Sequence, residues 1–304
     1  MHSQAQNPFG PTPYERKKER ASLIAKVVTF VMSMALVIPM LLIIGLIFVK
    51  GWSVISVDYL WENPRGGGIA GGIWGPLIGT FFLTLTCLVI VAPVGVLAGI
   101  YLNEYAPDNR ATRAIMIAVT SLAGVPSIVH ALFGLGAFVV AMHMGKSLLA
   151  AACTLAVMTL PVIITSTREA LAAVPRNFRE ACWNLGASKW QTIRTIVLPN
   201  SISGILTGVI LVVSRAAGET APIMLTGAAA YLPLPENMPD KLMPYYLGDQ
   251  FLALAMHLNV IARDVPNMPT EMKFGSALVL LCLILLINSL AITIRVQLRR
   301  RKRW

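Results

Sequence analysis

Residues 180–199 read EACWNLGASKWQTIRTIVLP, a polar and basic stretch lying between two long apolar segments. Phe178, Ala181, Cys182 and Leu185 fall at i, i+3, i+4 and i+7, which predicts a helix with one apolar stripe and with Arg179 and Glu180 off it. Gly186 stops that helix, because glycine takes the left-handed conformation of a C-terminal cap. Ser188, with Gln191 three residues on, reads as a capping box opening a second helix. Trp190, Ile193 and Val197 give the second helix an apolar face, and Pro199 ends or kinks it. The product is a rigid bent knob between membrane segments, a shape that can push or be pushed.

The flanking composition makes the bilayer the relevant solvent. Of 304 residues 56% are hydrophobic and 13% charged, with a mean hydropathy of +0.69, outside the range of soluble domains. Cys87, Cys153, Cys182 and Cys282 form no CxxC and read as small packing residues. The four histidines include no HExxH, so no metal site is expected. Gly66, Gly68 and Gly71 spell GxGxxG, but no strand precedes them and a membrane helix follows, so no dinucleotide site is read there. Gly145-Lys146-Ser147 resembles the end of a phosphate-binding loop, yet Val140 stands where the first glycine belongs. No other Walker sequence occurs, so the chain is not expected to hydrolyse ATP, to bind a cofactor itself or to be an enzyme.

Taken in order, residues 1–22 read as a disordered cytoplasmic tail. A first span at 23–49 follows, with Pro39 as a possible kink, and then a flexible surface loop to residue 71. The main membrane domain is expected at 72–295. Its spans are 73–102, 114–142 interrupted by Gly124-Val125-Pro126, 147–166, 201–225 and 274–295. Glycine pairs at Gly75/Gly79, Gly95/Gly99 and Gly204/Gly208 permit close helix contact. His130 reads as a packed histidine. Residues 247–261 carry a stripe of Leu247, Phe251, Leu254, Leu258 and Ile261, which predicts a helix lying on the outer surface. A basic cytoplasmic tail closes the chain at 296–304.

Six spans with both termini in the cytoplasm give an all-α, polytopic fold. On that topology 18 of the 25 lysines and arginines fall inside, among them Arg110, Arg113, Arg168, Arg176 and Arg194 and the five at 299–303. The net charge of +11 is then accounted for by topology and anionic membrane lipid, without nucleic acid.

Two charges fall inside the fifth span. Arg215 and Glu219, flanked by Ser214 and Thr220, would each cost about 2.5–3.5 kcal/mol at mid-membrane. Their i, i+4 spacing puts them on one helix face, where they can pair. Such a pair marks a substrate path or an internal lock, and a planar guanidinium fork suits a tetrahedral oxyanion.

These motifs resemble a known family. Glu180, Ala181, Gly186, Ile196, Leu198 and Pro199 match the cytoplasmic signature of type I ABC importer permeases, with Cys182 in place of a second alanine. Ser214-Arg-Ala-Ala-Gly-Glu-Thr-Ala-Pro222, Gly124-Val-Pro-Ser-Ile128 and Gly75-Pro-Leu-Ile-Gly-Thr80 are similar to segments of the phosphate-specific members. The resemblance implies a type I ABC importer transmembrane domain in a bacterial inner membrane. It implies that residues 168–199 dock on ABC ATPase subunits, which use ATP, with Ala187 beside Gly186 in the docking set. It also implies a second phosphate permease subunit and a periplasmic phosphate-binding protein as partners. Another oxyanion, such as sulfate or molybdate, and a membrane scaffold without transport stay open as alternatives.

Overall fold

The computed structural model describes residues 13–68, 70–235 and 240–300 of the chain. The first helix, α1 (Pro13–Gly51), runs unbroken through Pro39. It takes in residues 13–22, which the sequence reading left as a disordered tail. Lysine, arginine and glutamate are good helix formers, so a long apolar helix propagates through them at little cost. Residues 1–12 lie outside the described residues.

The connection to the next span is folded, which corrects the expectation of a flexible loop. It contains α2 (Val57–Trp61), strands β1 (Pro64–Arg65) and β2 (Ala70–Gly71) paired antiparallel, and a short turn between them. The Ser56 hydroxyl caps α2 by accepting the Tyr59 N–H at 3.1 Å. The Tyr59 and Ser276 hydroxyls share a 2.7 Å hydrogen bond, and burial raises the Tyr59 pKa. The Trp61 and Trp74 rings lie 4.3 Å apart.

Helix α3 (Trp74–Ile100) ends in a π-type turn at Tyr101–Tyr105. The expected third span is two helices, α4 (Arg110–Ala123) and α5 (Ser127–Gly134), bent by 103° at the break between them. Pro126 explains the bend, since it lacks an N–H and drives Val125 out of the helical region. Next come α6 (Leu148–Ala172), α7 (Arg176–Asn184), α8 (Lys189–Thr192), a π-type turn at Ile193–Val197 and α9 (Leu198–Gly218). The chain closes with α10 (Ala221–Thr226), α11 (Leu254–Arg263) and α12 (Thr270–Arg300). Five of these segments are long and apolar enough to cross a membrane; counted as one span, the bent α4–α5 pair brings the number to six.

The core is built around α6, with α3 and α9 packed on it. Glycine makes both approaches possible. A Cβ on Gly95 or Gly99 would come within 2.6 Å of Ile163 or 2.7 Å of Thr167. On Gly204 or Gly208 it would come within 2.5 Å of Ala170 or 1.8 Å of Ser166. The Gly75/Gly79 pair meets a loop instead of a helix, because a Cβ at Gly79 would lie 1.8 Å from the Leu252 carbonyl oxygen.

That loop is the second correction. The stretch 247–253 is not helical. Residues 247–250 are exposed, while Phe251, Leu252 and Ala253 are buried in the core formed with α3, α6 and α10. The Leu247 and Asp249 carbonyls accept the Leu149 and Leu148 N–H groups at 2.9 and 2.8 Å, occupying donors that the first turn of α6 leaves free. The Thr80 hydroxyl accepts the Leu254 N–H at 2.8 Å and so sets the start of α11. Phe251, Leu254 and Ile261 are wholly buried, whereas Leu247 is exposed. The apolar stripe therefore packs into protein, beginning one turn later than its spacing suggested. Burial lowers the His257 pKa to about 4 and raises that of Tyr245.

Candidate functional site

Two places gather the residues singled out by sequence. The first is the break between α9 and α10. Pro222 has no N–H to bond the carbonyl four residues back, and its ring crowds that carbonyl, so α9 ends at Gly218. Glu219 then takes an extended conformation (φ −76°, ψ 138°), and α10 restarts with Pro222 in its first turn. This corrects the expectation that Arg215 and Glu219 share one face of a continuous helix. Arg215 lies in the last turn and Glu219 beyond it, yet their side chains meet, Arg215 Nε donating to Glu219 Oε1 at 3.1 Å.

The placement changes the electrostatics. A cation in the last turn is favoured by the negative end of the helix dipole. The Arg215 side chain is 43% exposed within this chain and Glu219 18%, so the chain alone does not bury the pair. Only Nε of the guanidinium is engaged among the described residues. Its terminal nitrogens keep their donors. Ser214 bonds back to the Ile210 carbonyl at 2.8 Å and also to Asn288 Oδ1, which ties the site to α12. Thr220 is half-buried in the break, and its hydroxyl does not cap α10. Asn288 was not legible from sequence, because nothing local links it to a position 74 residues earlier.

The second place is the elbow. The capping box is present, with Ser188 N–H donating to Gln191 Oε1 at 2.7 Å and Gln191 N–H to the Ser188 hydroxyl at 3.3 Å. Gly186 has φ +79°, the left-handed conformation its capping role requires, and nothing lies within 4 Å of where its Cβ would be. Glu180, Ala181, Gly186 and Pro199 are exposed; Ala187, Ile196 and Leu198 are half-buried. Leu185 is 88% exposed, and Trp183 and Trp190 are about half exposed at 47% and 55%. The helix is thus turned over relative to the sequence reading. Its apolar residues face out, while Arg179, read as lying off the apolar face, is buried.

Among the described residues no three His, Cys, Asp or Glu side chains gather as a metal would require. His130 is 3% exposed. Its Nδ1 lies 3.3 Å from the Pro126 carbonyl oxygen, and Nε2 has no partner.

Five long apolar helices and one bent pair pack around a glycine-lined centre, with a bent polar elbow between α6 and α9, and comparison with known proteins gives the class. Residues 92–304 match the family described as "Binding-protein-dependent transport system inner membrane component". The chain belongs to that family and is a multi-pass inner-membrane transport component.

Its relatives narrow the class. Over 221 residues it is 32% identical to the "Phosphate transport system permease protein PstA 1" of Mycobacterium tuberculosis H37Rv, covering 71% of each chain. It is 38% identical over 181 residues to the PstA of Haemophilus influenzae, covering 58% of this chain and 62% of that one. It is 34% identical over 180 residues to "Probable ABC transporter permease protein YqgI" of Bacillus subtilis, covering 59% and 61%. The chain thus spans a little under two thirds of the last two relatives.

Among solved structures, a bacterial ABC transporter involved in alginate import superposes with a TM-score of 0.61 at 13% identity, covering 93% of this chain and 98% of that one. The MetNI methionine ABC transporter in an inward-facing conformation superposes with a TM-score of 0.54 at 19% identity, covering 75% and 94%. At these identities the likeness concerns the fold alone.

Proposed function

We propose that this chain is the permease subunit of an ATP-driven importer of inorganic phosphate. In this reading it shares the translocation path with a second permease subunit, receives phosphate from a periplasmic binding protein and keeps both termini in the cytoplasm. Residues 168–199 dock on separate ATPase subunits, which carry out the hydrolysis. Glu180, Ala181, Gly186 and Ala187 present the docking surface. Ile196, Leu198 and Pro199 join it to α9.

The observation that carries the substrate reading is the half-used guanidinium at the helix break. Glu219 holds Arg215 through Nε, which leaves the terminal nitrogens as a planar fork for an oxyanion. The carboxylate beside the fork repels an anion in part, so binding stays weak enough for release. Ser214 and Thr220 supply neutral hydroxyls on either side. The names of the relatives favour phosphate over other tetrahedral oxyanions.

The test is transport by the complex reconstituted with its second permease, ATPase and binding protein. Labelled phosphate should accumulate in an ATP-dependent manner, and sulfate and molybdate should not. Arg215→Gln should insert and assemble yet lose uptake. Normal uptake by that variant would remove the pair from the path. Preferential uptake of sulfate or molybdate would replace the substrate.

A further inference from the structure

Arg179 is a buried arginine, at 9% exposure. It sits in the first turns of α7, in the elbow, and its guanidinium makes three hydrogen bonds. Nη1 donates to the Val174 carbonyl at 2.7 Å; Nη2 donates to the Leu171 carbonyl at 2.9 Å and to Glu104 Oε1 at 2.8 Å. Leu171 and Val174 lie at the C-terminal end of α6, where carbonyls lose their helical partners. Glu104 lies in the π-type turn that ends α3, its side chain 6% exposed. Asn103 Nδ2 also donates to the same carboxylate oxygen at 2.8 Å and helps hold it.

One guanidinium therefore joins the ends of α3 and α6 to α7. The other arm of the elbow, α8 and the turn after it, is seated on the same helix ends by the apolar cluster of Ile100, Leu171, Val174, Ile193 and Val197 and by Lys189 Nζ, 5.1 Å from the Tyr105 ring centroid. Helix α7 packs chiefly on α8 and the turn after it. A cavity of about 400 Å³, lined in part by Glu104, Val174, Arg179 and Trp183, lies between α7 and the ends of those helices. Across that gap the Arg179–Glu104 hydrogen bond is a direct side-chain link between α7 and the end of α3.

We infer that the Glu104–Arg179 pair is the joint through which displacement of α7, the first arm of the elbow, reaches the end of α3, making both residues positioning residues for coupling. The inference rests on the functional reading above and deepens it. With the joint intact, a push on α7 moves the ends of α3 and α6 together, and α9 follows through the glycine contacts on α6. With the link to α3 cut, the same push is taken up by the short linker at 173–175 and the cavity. The ATPase then still turns over, but its stroke is lost.

Glu104→Gln isolates this link, because Arg179 keeps both carbonyl acceptors at the end of α6. The reconstituted complex is assayed for phosphate transported per ATP hydrolysed, and for ATPase retained on purification. Glu104→Gln should keep its ATPase and hydrolyse within about twofold of wild type, while the transport-to-hydrolysis ratio falls about tenfold. Glu104→Asp, which keeps the charge but shortens its reach, should recover part of that ratio; it also serves as the test if the glutamine variant is too scarce to purify. Arg179→Gln should show at least the same loss. A wild-type ratio in Glu104→Gln overturns the inference. So does a parallel fall in hydrolysis and transport, which would mark the pair as structural only. Absence of ATP-driven phosphate transport by the wild-type complex would instead sink the functional reading.

Discussion

Gly79→Ala adds one methyl group where α3 meets the inserted loop. On the α3 backbone that Cβ would lie 1.8 Å from the Leu252 carbonyl oxygen and 3.0 Å from its carbon. The obstacle is main chain and cannot rotate aside, so the loop must lift. Two hydrogen bonds tie it to α3: the Tyr245 hydroxyl to the Gly75 carbonyl at 3.1 Å and the Leu254 N–H to the Thr80 hydroxyl at 2.8 Å. Losing each costs about 0.5–1.5 kcal/mol, and overpacking adds about 1–3 kcal/mol. The sum is about 2–6 kcal/mol, a fall in melting midpoint of roughly 5–20 °C for a chain of this size. The buried Cys87 thiol is a suitable reporter in detergent, with the other three cysteines replaced by serine and a thiol-reactive dye followed on heating. Gly45→Ala, which meets nothing within 4 Å, is the control and should melt with the parent. Because Phe251 and Leu252 share one core with Val212 and Ala216 of α9, the Gly79 variant should also transport poorly. An unchanged midpoint with full transport would refute the claim that this loop rests on the main chain of α3.

Arg215→Gln should cut phosphate uptake by about 10–100-fold, the loss of one or two charge-assisted hydrogen bonds, with the midpoint little changed because the side chain is 43% exposed. At the elbow, Gly186→Ala should cost about 1–2 kcal/mol for its left-handed backbone, whereas Gly186→Pro and Glu180→Lys should abolish co-purification of the ATPase; retention of the ATPase by both would separate the elbow from docking. A single cysteine in place of Leu185 should react with an impermeant maleimide only from the cytoplasmic side, and labelling from outside would reverse the topology. His257 has its pKa lowered to about 4 in the fold against an ordinary 6.5. The unfolded chain therefore binds more protons between these values, and stability should fall as pH drops through that window, by up to about 3 kcal/mol. His257→Phe should remove that slope in the same melting assay.

What could be read from sequence divides along one physical line. Local rules worked wherever the cause is local. The capping box at Ser188 and Gln191, the turn at Gly186 and the break at Gly124-Val125-Pro126 are all where their chemistry puts them. The glycine pairs at 95/99 and 204/208 marked real helix contacts, because only a missing side chain lets backbones come so close. Local rules failed where a distant segment competes for the same groups. The stripe at 247–261 looked amphipathic and was assigned to a lipid surface. Its first carbonyls instead serve the N-terminus of α6, a hundred residues earlier in the chain, and periodicity does not distinguish a face buried in lipid from one buried in protein. The stripe on α7 misled in the same way. Apolar spacing finds a helix but does not say which side another protein will cover, and there Leu185 is outside while Arg179 is inside.

The contrast between two arginines bears most directly on function. A buried guanidinium costs several kcal/mol in desolvation unless its donors are matched. Arg179 meets that condition with three acceptors from two other elements, and its side chain is 11% exposed. Three of its five N–H donors are engaged within the chain, which suits a group that holds parts of this chain together. Arg215 is the reverse. One donor is satisfied by Glu219, the terminal nitrogens are unengaged among the described residues, and the side chain remains open at a place where the helix itself is interrupted. A chain that needed only a lock could have matched Arg215 as it matched Arg179. Unmatched donors at a helix break fit a group that must be free when its ligand arrives and free again when the ligand leaves. Burial with three internal acceptors at Arg179, against exposure with one at Arg215, is what sets the two guanidinium groups apart.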